Sequence, residues 1–158
     1  MNKYIIGAGI VAVVLIIGSL YLPTGTDTGG VVKVASAITV VEEPHDFGEI
    51  DIFGGKVRTT YTLMNEGTED VVVRSAQTSC MCTEGEIGGF TFGMHSSDVK
   101  DVVIPAGQSQ SLTAIYDPLA HGPNGTGKVT RELMLETNSE ETPVVRVKFS
   151  ANVVKNEE

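Results

Sequence analysis

The only two cysteines of the chain are Cys80 and Cys82, within Thr78-Ser79-Cys80-Met81-Cys82-Thr83. In an extended segment residues i and i+2 face the same side, about 6.5 Å apart. That separation lies near the upper limit for a disulfide, so a bridge requires the backbone to turn at Met81. Two thiolates on one face also make half of a soft metal site. His95 and His121 stand in turn-rich, glycine-containing segments, and imidazole suits the copper or zinc that thiolates select. Met81 and Met94 add thioethers, which favour Cu(I). The candidate ligands are therefore Cys80, Cys82, His95 and His121, with Met81 and Met94 as further donors, and copper or zinc as the ion. His121 is preferred over His95, because Asp117-Pro118 ends a strand firmly and fixes the exit of its loop. Other roles for the pair stand beside this one: a strained disulfide, two small buried hydrophobes, or an intermolecular link. Thiol–disulfide exchange is a further role, although the spacing is not Cys-x-x-Cys and no helix N-terminus is expected nearby.

No other chemistry is legible. There is no Gly-x-Ser-x-Gly, no His-Glu-x-x-His and no phosphate loop, so no enzyme class is indicated. Tryptophan is absent and aromatic residues make up 6% of the chain, which weakens any sugar-stacking platform.

The N-terminus sets the compartment. Tyr4 to Leu22 carries no charge and is almost wholly apolar. As a helix this run is roughly 28 Å long, close to the hydrocarbon thickness of a bilayer. Lys3 precedes it, and the positive-inside rule places Met1 in the cytoplasm. The expectation is a single-pass cell-membrane protein with an anchor over residues 1–22, a flexible linker over 23–37 and an extracytoplasmic domain over 38–158. Ala35-Ser36-Ala37 resembles a signal cleavage site but lies well beyond the apolar run. All 20 acidic residues follow that run, against ten of the 11 basic ones. That balance excludes nucleic acid and anionic membrane surfaces as partners of the domain.

The domain reads as β throughout. Ile38–Val41 and His45–Ile50 form one broken strand around Pro44. Lys56–Met64 alternates, with Val57, Thr59, Tyr61 and Leu63 on one face. Asp70–Ala76, Val99–Ile104, Ser109–Tyr116, Lys128–Thr137 and Val144–Val153 continue the series, separated by turn residues. About seven strands at this spacing predict an immunoglobulin-like antiparallel β-sandwich.

Five motifs in order carry a resemblance. They are His45-Asp46-Phe47-Gly48-Glu49-Ile50, Leu63-Met64-Asn65-Glu66-Gly67, Ser79-Cys80-Met81-Cys82-Thr83, Ile104-Pro105-Ala106-Gly107 and Thr137-Asn138. Over residues 40 to 154 the chain resembles the bacterial family catalogued as domain of unknown function 1573. The resemblance implies an Ig-like sandwich related to major sperm protein and PapD-like domains, and export behind an anchor. It implies no activity. The chain departs from the family pattern where Met81 replaces the usual glycine, where Glu84–Asp101 forms a longer insertion bearing His95, and where the loop bearing His121 is extended.

The function expected from these readings is a non-enzymatic binding or structural module at the cell surface. Its partners would be the bilayer, through the N-terminal helix, and a protein added along an exposed strand edge. Copper or zinc binding through the Cys-Met-Cys loop is the alternative, and a redox-active thiol pair the third.

Overall fold

The computed structural model describes residues 32–42, 44–95 and 97–156. The expected membrane helix and the linker up to residue 31 lie outside these residues. The described part is an all-β sandwich. Its strands are β1 (Ile38–Val40), β2 (His45–Asp51), β3 (Val57–Asn65), β4 (Val71–Thr78), β5 (Thr83–Ile87), β6 (Phe90–Phe92), β7 (Ser97–Ile104), β8 (Ser109–Tyr116), β9 (Gly127–Thr137) and β10 (Val144–Val154). One sheet has the order β1-β3-β8-β5-β6 and the other β2-β10-β9-β4-β7. The inward rows of the two sheets make one core, in which Tyr61, Leu63, Leu112, Tyr116, Leu133, Leu135 and Phe149 are fully buried. Each such side chain contributes on the order of 1.5–3 kcal/mol.

The strand inventory differs from the expectation of about seven in three places. Ile38–Val40 and His45–Asp51 are not one broken strand but lie in opposite sheets: β1 pairs with β3, and β2 pairs with β10. Pro44 lacks an N–H and fixes its own φ, so the ladder stops there and the chain changes sheet. The β2–β10 pairing is parallel, so the sandwich is not wholly antiparallel. The segment Glu84–Asp101, expected as an insertion, holds most of β5, all of β6 and more than half of β7. Its signal is muted because the inward place at Gly85 has no side chain. The ring of Phe92, paired with Gly85 across the ladder, fills that space, and a Cβ at Gly85 would overlap it. The N-terminal side also differs. Val34 and Ser36, expected within the linker, are buried on the sandwich. Val34 forms a bridge with Ser139, and its N–H donates to the Asn138 carbonyl at 3.1 Å.

Buried polar groups explain why the family-like motifs occur together. Asn65 has no exposed surface. Its Nδ2 donates to the carbonyls of Glu69 and Ile104, both at 2.9 Å, and its Oδ1 accepts from the N–H of Gly67 at 3.0 Å. Its carbonyl accepts from Gly107 at 3.0 Å. One side chain thus ties the β3–β4 turn to the β7–β8 turn. Asn138 plays the same part at residues 32 and 72, donating to the Val32 carbonyl at 3.1 Å and accepting from the Val72 N–H at 2.8 Å. Tyr61 on β3 donates its hydroxyl to the Lys148 carbonyl on β10 at 2.7 Å, which joins the two sheets directly.

The sheet edges are mostly blunted. β1 and β6 have three residues each, and β2 carries Asp46, Glu49 and Asp51 with a bulge at Phe47–Gly48. β7 is the long edge strand.

Two substitutions test this reading. Asn65→Ala orphans buried groups in two turns, and urea unfolding should show a loss on the order of 3 kcal/mol. Gly85→Ala forces a methyl against Phe92 and should cost about 1–3 kcal/mol. Adding Phe92→Leu to Gly85→Ala should recover part of that loss in the same measurement, and no recovery would refute the packing explanation.

Candidate functional site

Two connections cross between the sheets at the same end of the sandwich. The first runs from β4 to β5 through Ser79–Cys82, the second from β8 to β9 through Asp117–Thr126. β5 pairs with β8, ending at Thr83 opposite Tyr116, and β4 pairs with β9, ending at Thr78 opposite Leu133. The two crossings therefore start side by side. The Asp117 N–H donates to the Cys82 carbonyl at 2.9 Å and pins them together.

The first crossing is a tight turn. The Thr83 N–H donates to the Cys80 carbonyl at 3.1 Å. The buried Thr78 hydroxyl lies between the carbonyls of Cys80 and Thr83, at 2.9 and 3.0 Å. Ser79 anchors the turn to β9 through its N–H on the Glu132 carbonyl and its Oγ on the Glu132 N–H, both 2.9 Å. The turn draws the Cα atoms of Cys80 and Cys82 to 5.2 Å, well inside disulfide range, and the two sulfurs are bonded. This is the local turn that the extended-chain spacing demands. Cys82 faces the core with 2% of its surface exposed, whereas Cys80 is only partly buried.

The second crossing delivers His121. The Asp117 carboxylate accepts from the Leu119 N–H at 2.9 Å, and its carbonyl accepts from Ala120 at 3.3 Å. Gly122, at φ 83°, then reverses the chain, with its N–H on the Leu119 carbonyl at 2.8 Å. Only glycine adopts that backbone without strain. His121 Nε2 comes to 3.2 Å from Cys80 Sγ.

A fourth residue completes the site, and sequence reasoning missed it. Arg131 lies on β9 in phase with the inward residues Val129, Leu133 and Leu135, where an apolar side chain is the rule. Its Nε donates to Cys82 Sγ at 3.0 Å, and its guanidinium lies 5.8 Å from the Tyr116 ring centre. Burial pushes the Tyr116 hydroxyl above its usual pKa range, and the charge of Arg131 opposes that rise. A charged residue in the apolar phase of a strand was the available signal.

Of the six candidate ligands, the structure brings Cys80, Cys82 and His121 together, with sulfur and nitrogen atoms within 4.8 Å of one another. Among the described residues this is the one such group of His, Cys or carboxylate side chains. His95 is exposed in the turn after β6 and stands outside the group. Met94 is also exposed, and Met81 is 67% exposed. A shallow space lined by Lys56, Met81, Cys82, Glu84, Asp117 and Ala120 adjoins the bridge. A larger open groove of about 470 Å³ lies elsewhere, over the β2 bulge. Its carboxylate at Asp46 is already held below the usual range, chiefly by the Gly48 N–H at 3.0 Å, and the groove carries no comparable chemistry.

No curated protein matches this chain. Among solved structures, a protein of unknown function from Porphyromonas gingivalis is similar at 15% identity and a TM-score of 0.59, over 80% of this chain and 51% of that one. The chain thus spans about half the length of that protein. The ASH/PapD-like domain of human CEP192 is similar at 15% identity and a TM-score of 0.45, over 80% of this chain and 92% of that one. The CooA pilin subunit of enterotoxigenic Escherichia coli is similar at 9% identity and a TM-score of 0.47, over 78% of this chain and 100% of that one. At these identities the likeness to the first shows fold alone, and the other two add no argument. The family model described as "Protein of unknown function (DUF1573)" matches residues 38–153, well over half of the chain, and the protein belongs to that family.

Proposed function

We propose that this domain carries a redox-active disulfide that exchanges with dithiols outside the cytoplasm. One observation carries the reading: each sulfur of the Cys80–Cys82 bridge faces its own basic side chain, His121 at 3.2 Å and Arg131 at 3.0 Å. A bridge with a sequence separation of 2 is a poor staple. It removes less chain entropy than a fifteen-residue loop, for which the gain is about 3 kcal/mol. The core and the buried asparagines already hold the fold.

The chemistry follows from the placement. Cys80 is the more accessible sulfur, so an incoming substrate thiolate attacks it. The S–S bond breaks and its electron pair leaves on Cys82, where the guanidinium of Arg131 stabilises the thiolate. The substrate is then disulfide-linked to Cys80. Its second thiolate attacks its own bonded sulfur and expels Cys80, which takes a proton from His121. The substrate dithiol ends as a disulfide and the protein ends with two reduced cysteines. One of the two substrate protons goes to solvent, and the other replaces the proton that His121 gave up.

The compartment expected from the N-terminal residues supports this role. Disulfides persist in oxidising environments, and the apolar run before the domain with its preceding Lys3 favours an exported, membrane-tethered domain. Strand addition by a protein partner has less support, since three of the four sheet edges are short or charged and bulged.

The full chain, treated with dithiothreitol and then alkylated, should gain two labels by mass spectrometry. Arg131→Gln should slow the reduction about fivefold by making Cys82 a poorer leaving group. Cys82→Ser leaves Cys80 as a free thiol, which should attack the symmetric disulfide of a monothiol, expel one monothiol and hold the other as a stable mixed disulfide. Equal reduction rates in Arg131→Gln and the parent would sink the proposal.

A further inference from the structure

The same corner has a second use once the bridge is open. Reduction leaves two thiols and one imidazole converging on one point, with no carboxylate and no second imidazole in the group among the described residues. We infer that the reduced site binds one Cu(I) ion in a three-coordinate arrangement of Cys80 Sγ, Cys82 Sγ and His121 Nε2, and that closing the disulfide expels it. The inference rests on the exchange reading only in needing the pair to be reducible.

The donor set selects the ion. Thiolate is a soft ligand and suits Cu(I), while structural zinc is almost always four-coordinate. Met81, the nearest thioether in sequence, is 67% exposed, and a solvated thioether is a weaker donor than the thiolates and imidazole. With metal–ligand bonds of about 2.3 Å, trigonal ligand atoms stand roughly 4 Å apart. The three donor atoms already lie within 4.8 Å of one another. The thiols need only separate from bonding distance, a change that rotation of the two side chains about their Cα–Cβ bonds supplies while the backbone of the turn stays in place.

The charge also balances. Two thiolates and a neutral imidazole around Cu(I) carry one net negative charge. The Arg131 Nε–H on Cys82 Sγ places a positive charge against that thiolate without occupying a metal position. The Tyr116 ring beneath the guanidinium holds it there. The site is thereby a switch. A substrate disulfide takes two electrons from the two thiolates and becomes a dithiol with two protons from solvent. The protein's own disulfide forms, and copper leaves still as Cu(I).

The test uses the full chain in detergent, reduced anaerobically with a phosphine and shown by titration to hold two thiols. Competition against a chromophoric Cu(I) chelator should give one equivalent of Cu(I) per chain. X-ray absorption should show two sulfur neighbours and one nitrogen. His121→Ala should weaken binding at least about tenfold and remove the nitrogen signal. His95→Ala should change neither, and the oxidised chain should take up no copper. The inference is overturned if the reduced chain fails to compete. It is equally overturned if His121→Ala, with an unchanged circular dichroism spectrum, binds as tightly as the parent, or if Zn(II) binds the reduced chain more tightly than Cu(I). A chain that phosphine reduces but dithiols do not, and that still takes up Cu(I), keeps the copper site and loses the exchange reading.

Discussion

The chain passes from one sheet to the other between Thr78 and Thr83, and it does so beside a second crossing between Tyr116 and Gly127. Antiparallel pairing forces the neighbourhood. Once β4 lies on β9 and β5 lies on β8, the two connections must leave the sandwich at the same end. That constraint places residue 121 against residue 80. It also sets the backbone of the first crossing, which must turn within four residues. A turn that tight brings residues i and i+2 closer than any strand does, and here those residues are cysteines.

The corner is rigid because its polar backbone groups are satisfied by both sheets. Ser79 is held by β9, Cys82 by the start of the second crossing, and Thr78 caps the turn from beneath. The rest of the sandwich is fastened in the same manner, by a few buried polar side chains rather than by surface ion pairs. Asn65, Asn138 and Tyr61 each bind backbone groups that would be orphaned without them. Exposed ion pairs such as Lys56–Glu84 at 3.2 Å contribute little.

Arg131 shows how the site departs from the rules that build the fold. A guanidinium in the inward row of a central strand is costly unless its charge and its donors are answered. Here the sulfur of Cys82 accepts from Nε, the carbonyl of Thr130 accepts from Nη1 at 2.9 Å, and an aromatic face lies against the plane. The conflict with the apolar pattern is local, and it falls on the chemistry.

The sequence by itself determined the β-class, the turns and most strand positions, because alternation and turn residues are local properties of the chain. It also determined that Cys80, Cys82 and His121 deserved to be weighed together. It misplaced β1 and β2 as one strand and concealed β5, because sheet membership and the filling of Gly85 by Phe92 are relations between distant residues. Only the tertiary structure decided that His121 and not His95 meets the thiols, that the turn permits a bridge, and that Arg131 stands behind it. Each of those depends on which two crossings lie side by side, and strand pairing between residues far apart in the chain, such as Thr83 with Tyr116 and Thr78 with Leu133, leaves no mark in the spacing of the residues it brings together.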